Sequence, residues 1–202
     1  VEVDPNDPAF DAPSKPIGPV YTPPEAERAA RDHGWAMVTE ASGGRRRVVP
    51  SPQPQRILEI HAIRLLLEAG VVVICAGGGG VPVVADASGG WSGVEAVVDK
   101  DLCAALLADQ LDADSLILLT DVDAVYRNWE TDRAQSIRTA SVEEMRDPSF
   151  AAGPMGPQGE AACRVVSGAR PDGRTPPRVA RIGALDAAAL LIAGDAGTTI
   201  TG

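Results

Sequence analysis

The sequence predicts an α/β fold, a three-layer α/β/α sandwich whose mainly parallel central sheet is covered on both faces. Three observations carry this expectation. From residue 54 onward, apolar runs of strand length alternate with stretches of helical periodicity, the pattern of strands joined by crossover helices. Two of the runs, Val71–Ile74 and the segment 115–120, are continuously apolar over most of their length, as strands buried on both faces are. At 202 residues and 45% hydrophobic, the chain can bury one domain-sized core.

The first fifty residues read differently. Ten of the 17 prolines lie before residue 55, so the segment 4–24 is expected to be extended and turn-rich, because proline fixes its own φ and restrains the residue before it. Thr22 with Glu25 makes a capping box around Pro23 and starts a helix that runs to about His33. Residues 35–39 and 46–49 then pair as a small hairpin. Ile57, Ile60, Ile63 and Leu67 fall at helical spacing, and Gly70 ends that helix and feeds a buried strand at 71–75. A helix over 100–110 leads to the strand at 115–120. A short helix at 141–147, a helix from about Pro157 to Ser167, a strand near 179–182 and a helix at 185–193 complete the chain.

Charge and cysteine usage exclude several classes of function. A net charge of −10 argues against binding nucleic acid or an anionic membrane. Cys75, Cys103 and Cys163 are odd in number, widely spaced and set in apolar patterns without metal-ligand spacing, so they read as buried, reduced thiols. The apolar runs are broken by glycine before membrane-spanning length, and no charged-then-apolar leader opens the chain. A cytoplasmic location is expected.

Two constellations point to chemistry. In the first, the run Val71–Ile74 leads into Gly77, Gly78, Gly79 and Gly80, a loop whose bare backbone can approach an anion and aim N–H groups at it. Lys100 follows between Asp99 and Asp101. Neither the dinucleotide fingerprint nor the Walker loop is present, since Gly80 precedes Val81 and Pro82, and a flexible strand-end loop fits the glycines equally well. In the second, the strand at 115–120 ends in Thr120, Asp121 and Asp123, at the carboxyl end where open α/β sheets bind ligands. The lysines add weight. Only Lys15 and Lys100 are lysine, while arginine supplies the other cations among 18, which is not how plain surface charge is distributed. His61 reads as a packed helix histidine and His33 as a favourable cation at a helix end. Arg45, Arg46 and Arg47 read as solvated surface.

The stretches RRVVPSPQP (46–54), ICAGGGGVPVV (74–84), GVEAVVDKDLCAALLA (93–108), LLTDVDAVYRNW (118–129) and GPMGPQGEAA (153–162) resemble the signatures of carbamate kinase, in the amino acid kinase superfamily. The resemblance runs in order from residues 4–10 to 197–200. It implies an amino acid kinase-like sandwich over 50–202 with 1–49 as a small protruding lid. It implies reversible phosphoryl transfer between carbamoyl phosphate and ADP, giving ATP and carbamate, with Mg²⁺ carried mostly by phosphate oxygens and water, no metal held by the protein alone, and a homodimer. In that reading Lys100 contacts the transferring phosphoryl group, Asp101 orients it, and Lys15 reaches down from the lid toward the acceptor. Gly77–Gly80 hold the acceptor side, while Thr120, Asp121, Asp123, Tyr126, Met155 and Gln158 border the nucleotide.

Two departures accompany the match. The family carries a Gly-Gly-Asn-Ala strand–loop for ATP phosphates ahead of the matched region, and the sequence in hand starts after it, at Val1; a piece of a longer protein and a shortened gene product both remain open. Gln158 stands where the family's motif places a phosphate-binding lysine. A second reading follows from these departures: a catalytically weak or inactive kinase-like protein that keeps nucleotide binding or dimer contacts.

Overall fold

The structure, a computed structural model, describes residues 1–129, 131–147, 156–168 and 177–202. The chain forms two compact units, one of 1–58 with 78–99 and the other of 59–77 with 100–202. Contacts thus group 78–99 with the N-terminal region, against an expected division between residues 49 and 50.

The first unit holds two small sheets. Strand β1 (Glu2–Val3), β2 (Lys15–Tyr21), helix α1 (Pro23–His33), β3 (Met37–Thr39), β4 (Arg45–Val49), β5 (Pro54–Arg56), β6 (Val83–Ala85) and β7 (Trp91–Gly93) follow in order. β4 is the middle of the sheet β2-β4-β3 and pairs antiparallel on both sides, so the expected hairpin is present, with one more strand than expected. The other sheet has the order β5-β1-β6-β7. α1 begins as the sequence dictates. The Glu25 carboxylate accepts from the Thr22 backbone N–H at 2.9 Å and from the Thr22 hydroxyl at 2.6 Å, and Gly34 closes the helix at φ +69°, where a side chain would be strained. Those hydrogen bonds, the hydroxyl's first, hold the Glu25 carboxyl below its ordinary pKa.

The second unit contains the sandwich. Helices α2 (Ile60–Glu68) and α3 (Lys100–Gln110) precede β8 (Ser115–Thr120), β9 (Val125–Arg127), β10 (Gln135–Ile137), β11 (Thr139–Ser141), α4 (Val142–Met145), α5 (Gly156–Ser167), β12 (Val179–Ala184), α6 (Ala188–Ala193) and β13 (Thr198–Thr201). The main sheet runs β11-β13-β12-β8, with β8 parallel to β12, β11 parallel to β13, and β12 antiparallel to β13. β12 shows how both faces are covered. Ala180 and Ile182 are fully buried in one cluster with Leu102, Ala105, Ala161 and Val165 of α3 and α5. Gly183, on the alternate face, lies under Leu191 of α6, whose Cδ2 would stand 2.9 Å from any β-carbon placed there. Alanine and cysteine dominate the α3 and α5 faces, and such small side chains let two helices approach closely over one sheet. Burial pushes the Cys103 and Cys163 thiols up, so both stay protonated at neutral pH.

Three expectations need correction. Val71–Ile74 is not a buried strand: the segment lies in no ladder, and Val72 and Ile74 are 89% and 97% exposed. Its apolar character suits a sheet interior, but a strand exists only where a neighbouring strand takes up its backbone N–H and C=O groups; among the described residues no strand pairs with it, and the Val71 N–H turns back to the Leu66 carbonyl at 2.9 Å. Cys75, just beyond it, is accordingly half-buried and not enclosed. His61 is exposed on α2, because the helix buries Ile63 while Leu65, Leu66 and Leu67 stay largely in water. Among the described residues no helix is long and apolar enough to cross a membrane.

Candidate functional site

The two lysines of the chain both end on carboxylates of the tripeptide Asp99-Lys100-Asp101. In the first unit, Lys15 Nζ donates to Asp99 Oδ2 at 2.5 Å, with the carboxylate side chain 8% exposed and the lysine 34%. Lys15 opens β2 opposite Val49 of β4, so the sheet aims it. In the second unit, Lys100 is the first residue of α3, and its Nζ meets both oxygens of Asp101 at 2.9 and 2.8 Å. Asp101 is buried and sits in the first turn, where the helix dipole favours a negative charge. The lysine is 57% exposed, so the carboxylate fixes the direction of an ammonium that still faces solvent.

The four glycines fall on both sides of the division between units, Gly77 in one and Gly78–Gly80 in the other. Gly79 is required by contact: at φ +124°, a β-carbon there would stand 2.2 Å from the Val98 carbonyl oxygen. The loop therefore lies against the chain that leads into Asp99.

Thr120 ends β8, and its hydroxyl donates to Asp121 Oδ1 at 3.1 Å. Asp123 accepts from the Tyr126 hydroxyl at 2.7 Å, and the Tyr126 ring packs at 5.1 Å on Trp129. Acidic side chains and an aromatic platform thus follow the carboxyl end of a sheet strand, the position expected for a ligand-binding edge. The hydrogen bond to Asp123 pushes the Tyr126 phenol above its ordinary pKa. In a Tyr21→Phe background, a spectrophotometric titration is therefore expected to place tyrosinate formation above the usual value of about 10, and Asp123→Asn to bring it back down. An unchanged midpoint would show that the phenol does not use Asp123.

Sequence reasoning missed two groups that hold this turn. Thr198 is fully buried; its hydroxyl accepts from Val125 N–H at 2.8 Å and donates to the Ile137 carbonyl at 2.5 Å. Gly183 leaves room for the Asp123 backbone, whose carbonyl oxygen would be 3.1 Å from a β-carbon there. Only spatial packing marks these positions, since each is more than fifty residues from what it supports.

Gln158 lies in the first turn of α5 with 8% exposure, and its buried Oε1 has no hydrogen-bond partner among the described residues. It occupies the place of the family's phosphate-binding lysine as a buried, uncharged amide. Met155 lies outside the described residues. Among those described, no group of three or more His, Cys, Asp or Glu is placed to hold a metal ion.

Residues 19–173 match the amino acid kinase family. The chain is 49% identical over 201 residues to carbamate kinase of Haemophilus influenzae, an alignment that takes in 100% of this chain and 62% of that protein. It is likewise 49% identical over 201 residues to carbamate kinase of Escherichia coli strain K12, covering 100% of this chain and 64% of the relative. Among solved structures, carbamate kinase from Giardia lamblia bound to AMP-PNP superposes with a TM-score of 0.82 at 36% identity, over 99% of this chain and 62% of that one. A crystal structure from Aeropyrum pernix K1 superposes at 0.87 with 41% identity, over 100% of this chain and 64% of its own length. The chain thus spans less than two thirds of the length of these relatives.

Proposed function

Since this chain belongs to the amino acid kinase family, we propose that it carries the acceptor and nucleotide edges of a carbamate kinase, which moves a phosphoryl group reversibly between carbamoyl phosphate and ADP. One observation supports this reading above the others: Lys100 projects from the N-terminus of α3 with its ammonium held by both oxygens of Asp101. Phosphoryl transfer asks the protein for in-line positioning and fixed positive charge far more than for a nucleophile or an acid–base pair. An ammonium oriented before substrate arrives supplies that charge without reorganisation. Lys15, similarly fixed by Asp99, serves the acceptor side. Gly77–Gly80 present backbone N–H groups to phosphoryl oxygens, and Thr120, Asp121, Asp123 and Tyr126 border the nucleotide. Magnesium arrives with the nucleotide and keeps phosphate oxygens and water as most of its ligands, as that ion prefers.

This division of labour has a calorimetric signature. Asp123→Ala is expected to weaken MgADP binding more than Lys100→Ala does, because a nucleotide-border contact holds ground and transition state alike while the bridging lysine acts mainly in the transition state. Equal losses would remove the separation of roles. Absence of MgADP binding by the unsubstituted chain would remove the nucleotide site from it. If MgADP binds but the native-length protein forms no ATP from carbamoyl phosphate, the catalytically silent reading takes over.

A further inference from the structure

The arginine run at 45–47 is not loose surface charge. Each of the three is half-buried on β4 and has an acidic partner: Arg45 pairs with Glu27 at 4.0 Å, Arg46 with Glu40 at 3.4 Å, and Arg47 with Glu95. Arg47 differs from the others in what surrounds it. Its guanidinium carbon lies 4.2 Å from the centre of the Trp35 ring, and Trp35 stacks on His33 at 4.6 Å with 27° between the rings. These side chains line a cleft of about 230 Å³ within the first unit, walled by Pro13, Val48 and Pro50.

The partner of Arg47 is the part of this arrangement least tied down. The Arg47 side chain is 19% exposed and held on a ring, whereas Glu95 is 75% exposed and sits in the irregular segment after β7. An exposed carboxylate contributes little when it pairs, and replacing it by another carboxylate costs little. The guanidinium presents a planar fork of N–H donors that suits a carboxylate. We infer that this cleft is a binding site for a small, flat monocarboxylate, whose oxygens take the place of Glu95 on Arg47 and whose apolar body lies along Trp35 and the proline wall. The size fits a small occupant, being below the roughly 300–1,000 Å³ of sites that take drug-sized ligands. One ring-backed cation with apolar walls favours a singly charged planar anion over phosphate, whose greater charge calls for several donors.

Benzoate serves as the probe, followed by the indole N–H resonance of Trp35, which Trp35→Phe identifies. Titration of the chain is expected to shift that resonance saturably, while the neutral isostere benzamide at the same concentrations does not. Glu95→Gln removes the competing carboxylate and lowers the benzoate midpoint by about threefold, the size expected for loss of one exposed ion pair. Arg47→Met keeps the stem and abolishes the saturable shift; if that variant fails to fold, Glu95→Gln alone decides. A shift that stays linear in benzoate, an equal response to benzamide, a midpoint indifferent to Glu95→Gln, or tighter binding of inorganic phosphate than of benzoate overturns the inference.

Discussion

Lys100→Ala in the native-length protein is expected to lower ATP formation from carbamoyl phosphate and ADP by about 100- to 1000-fold, the usual cost of one preorganised charge-stabilising donor. The geometry adds a second effect. Asp101 is buried and holds the ammonium through both oxygens, so under the proposed role of Lys100 its removal would leave a carboxylate next to the developing negative charge. Lys100→Ala with Asp101→Asn should therefore recover part of the loss, although each substitution alone is harmful. A coupled assay of ATP formation measures both variants. If the double variant is slower than Lys100→Ala, Asp101 does more than orient the lysine; if Lys100→Ala keeps full turnover, the charge at the reacting group comes from elsewhere.

Removing Asp109 and Asp112 together is expected to destabilise the second unit by about 3–5 kcal/mol, because it strands a buried guanidinium. Arg178, just before β12, has a side chain only 1% exposed and donates to Asp109 at 2.6 Å and Asp112 at 2.8 Å, at the C-terminal end of α3. Burial works against its charge, but the hydrogen bonds to Asp112 and Asp109 outweigh it and push the pKa up. Asp109 alone is 55% exposed, so Asp109→Ala by itself should cost far less. Arg178→Met should also be milder than the double carboxylate substitution, since an apolar side chain of similar volume can occupy the space of a buried ion without desolvation cost. Denaturant unfolding of the three variants gives the order. Arg178→Met as damaging as the double substitution would mean that the arginine stabilises by packing and not through its charge partners.

Much of the secondary structure was legible because its causes are local. The box of Thr22 and Glu25 spans three residues and starts α1 where expected, and the helix expected over 100–110 from the short-range alternation of helical and strand-like segments has the bounds observed for α3. The strand at 115–120 and the helix ending at Ser167 follow from the same short-range periodicity. Candidate groups at strand ends and around Lys100 were visible for a related reason, since glycine, lysine and carboxylate carry their chemistry in their identity.

The failures share a cause as well. Val71–Ile74 has the composition of a core strand, but a ladder needs a partner, and pairing is a property of two segments. Arg47 looked like one cation in a solvated run until folding set it on Trp35 and beside Glu95, 48 residues away in sequence. The sequence by itself determined the class of fold, the start of α1 and the position of α3, and it marked the candidate residues for a phosphoryl group, because periodicity, capping and side-chain chemistry act within a few residues. Tertiary structure alone decided the Lys15–Asp99 pair across 84 residues, the Arg178 link across 69 and 66, and the Thr198 support of the Asp123 turn across 73. Such contacts depend on which distant backbone is brought alongside, and burial then makes their charges and hydroxyls costly to leave unpaired.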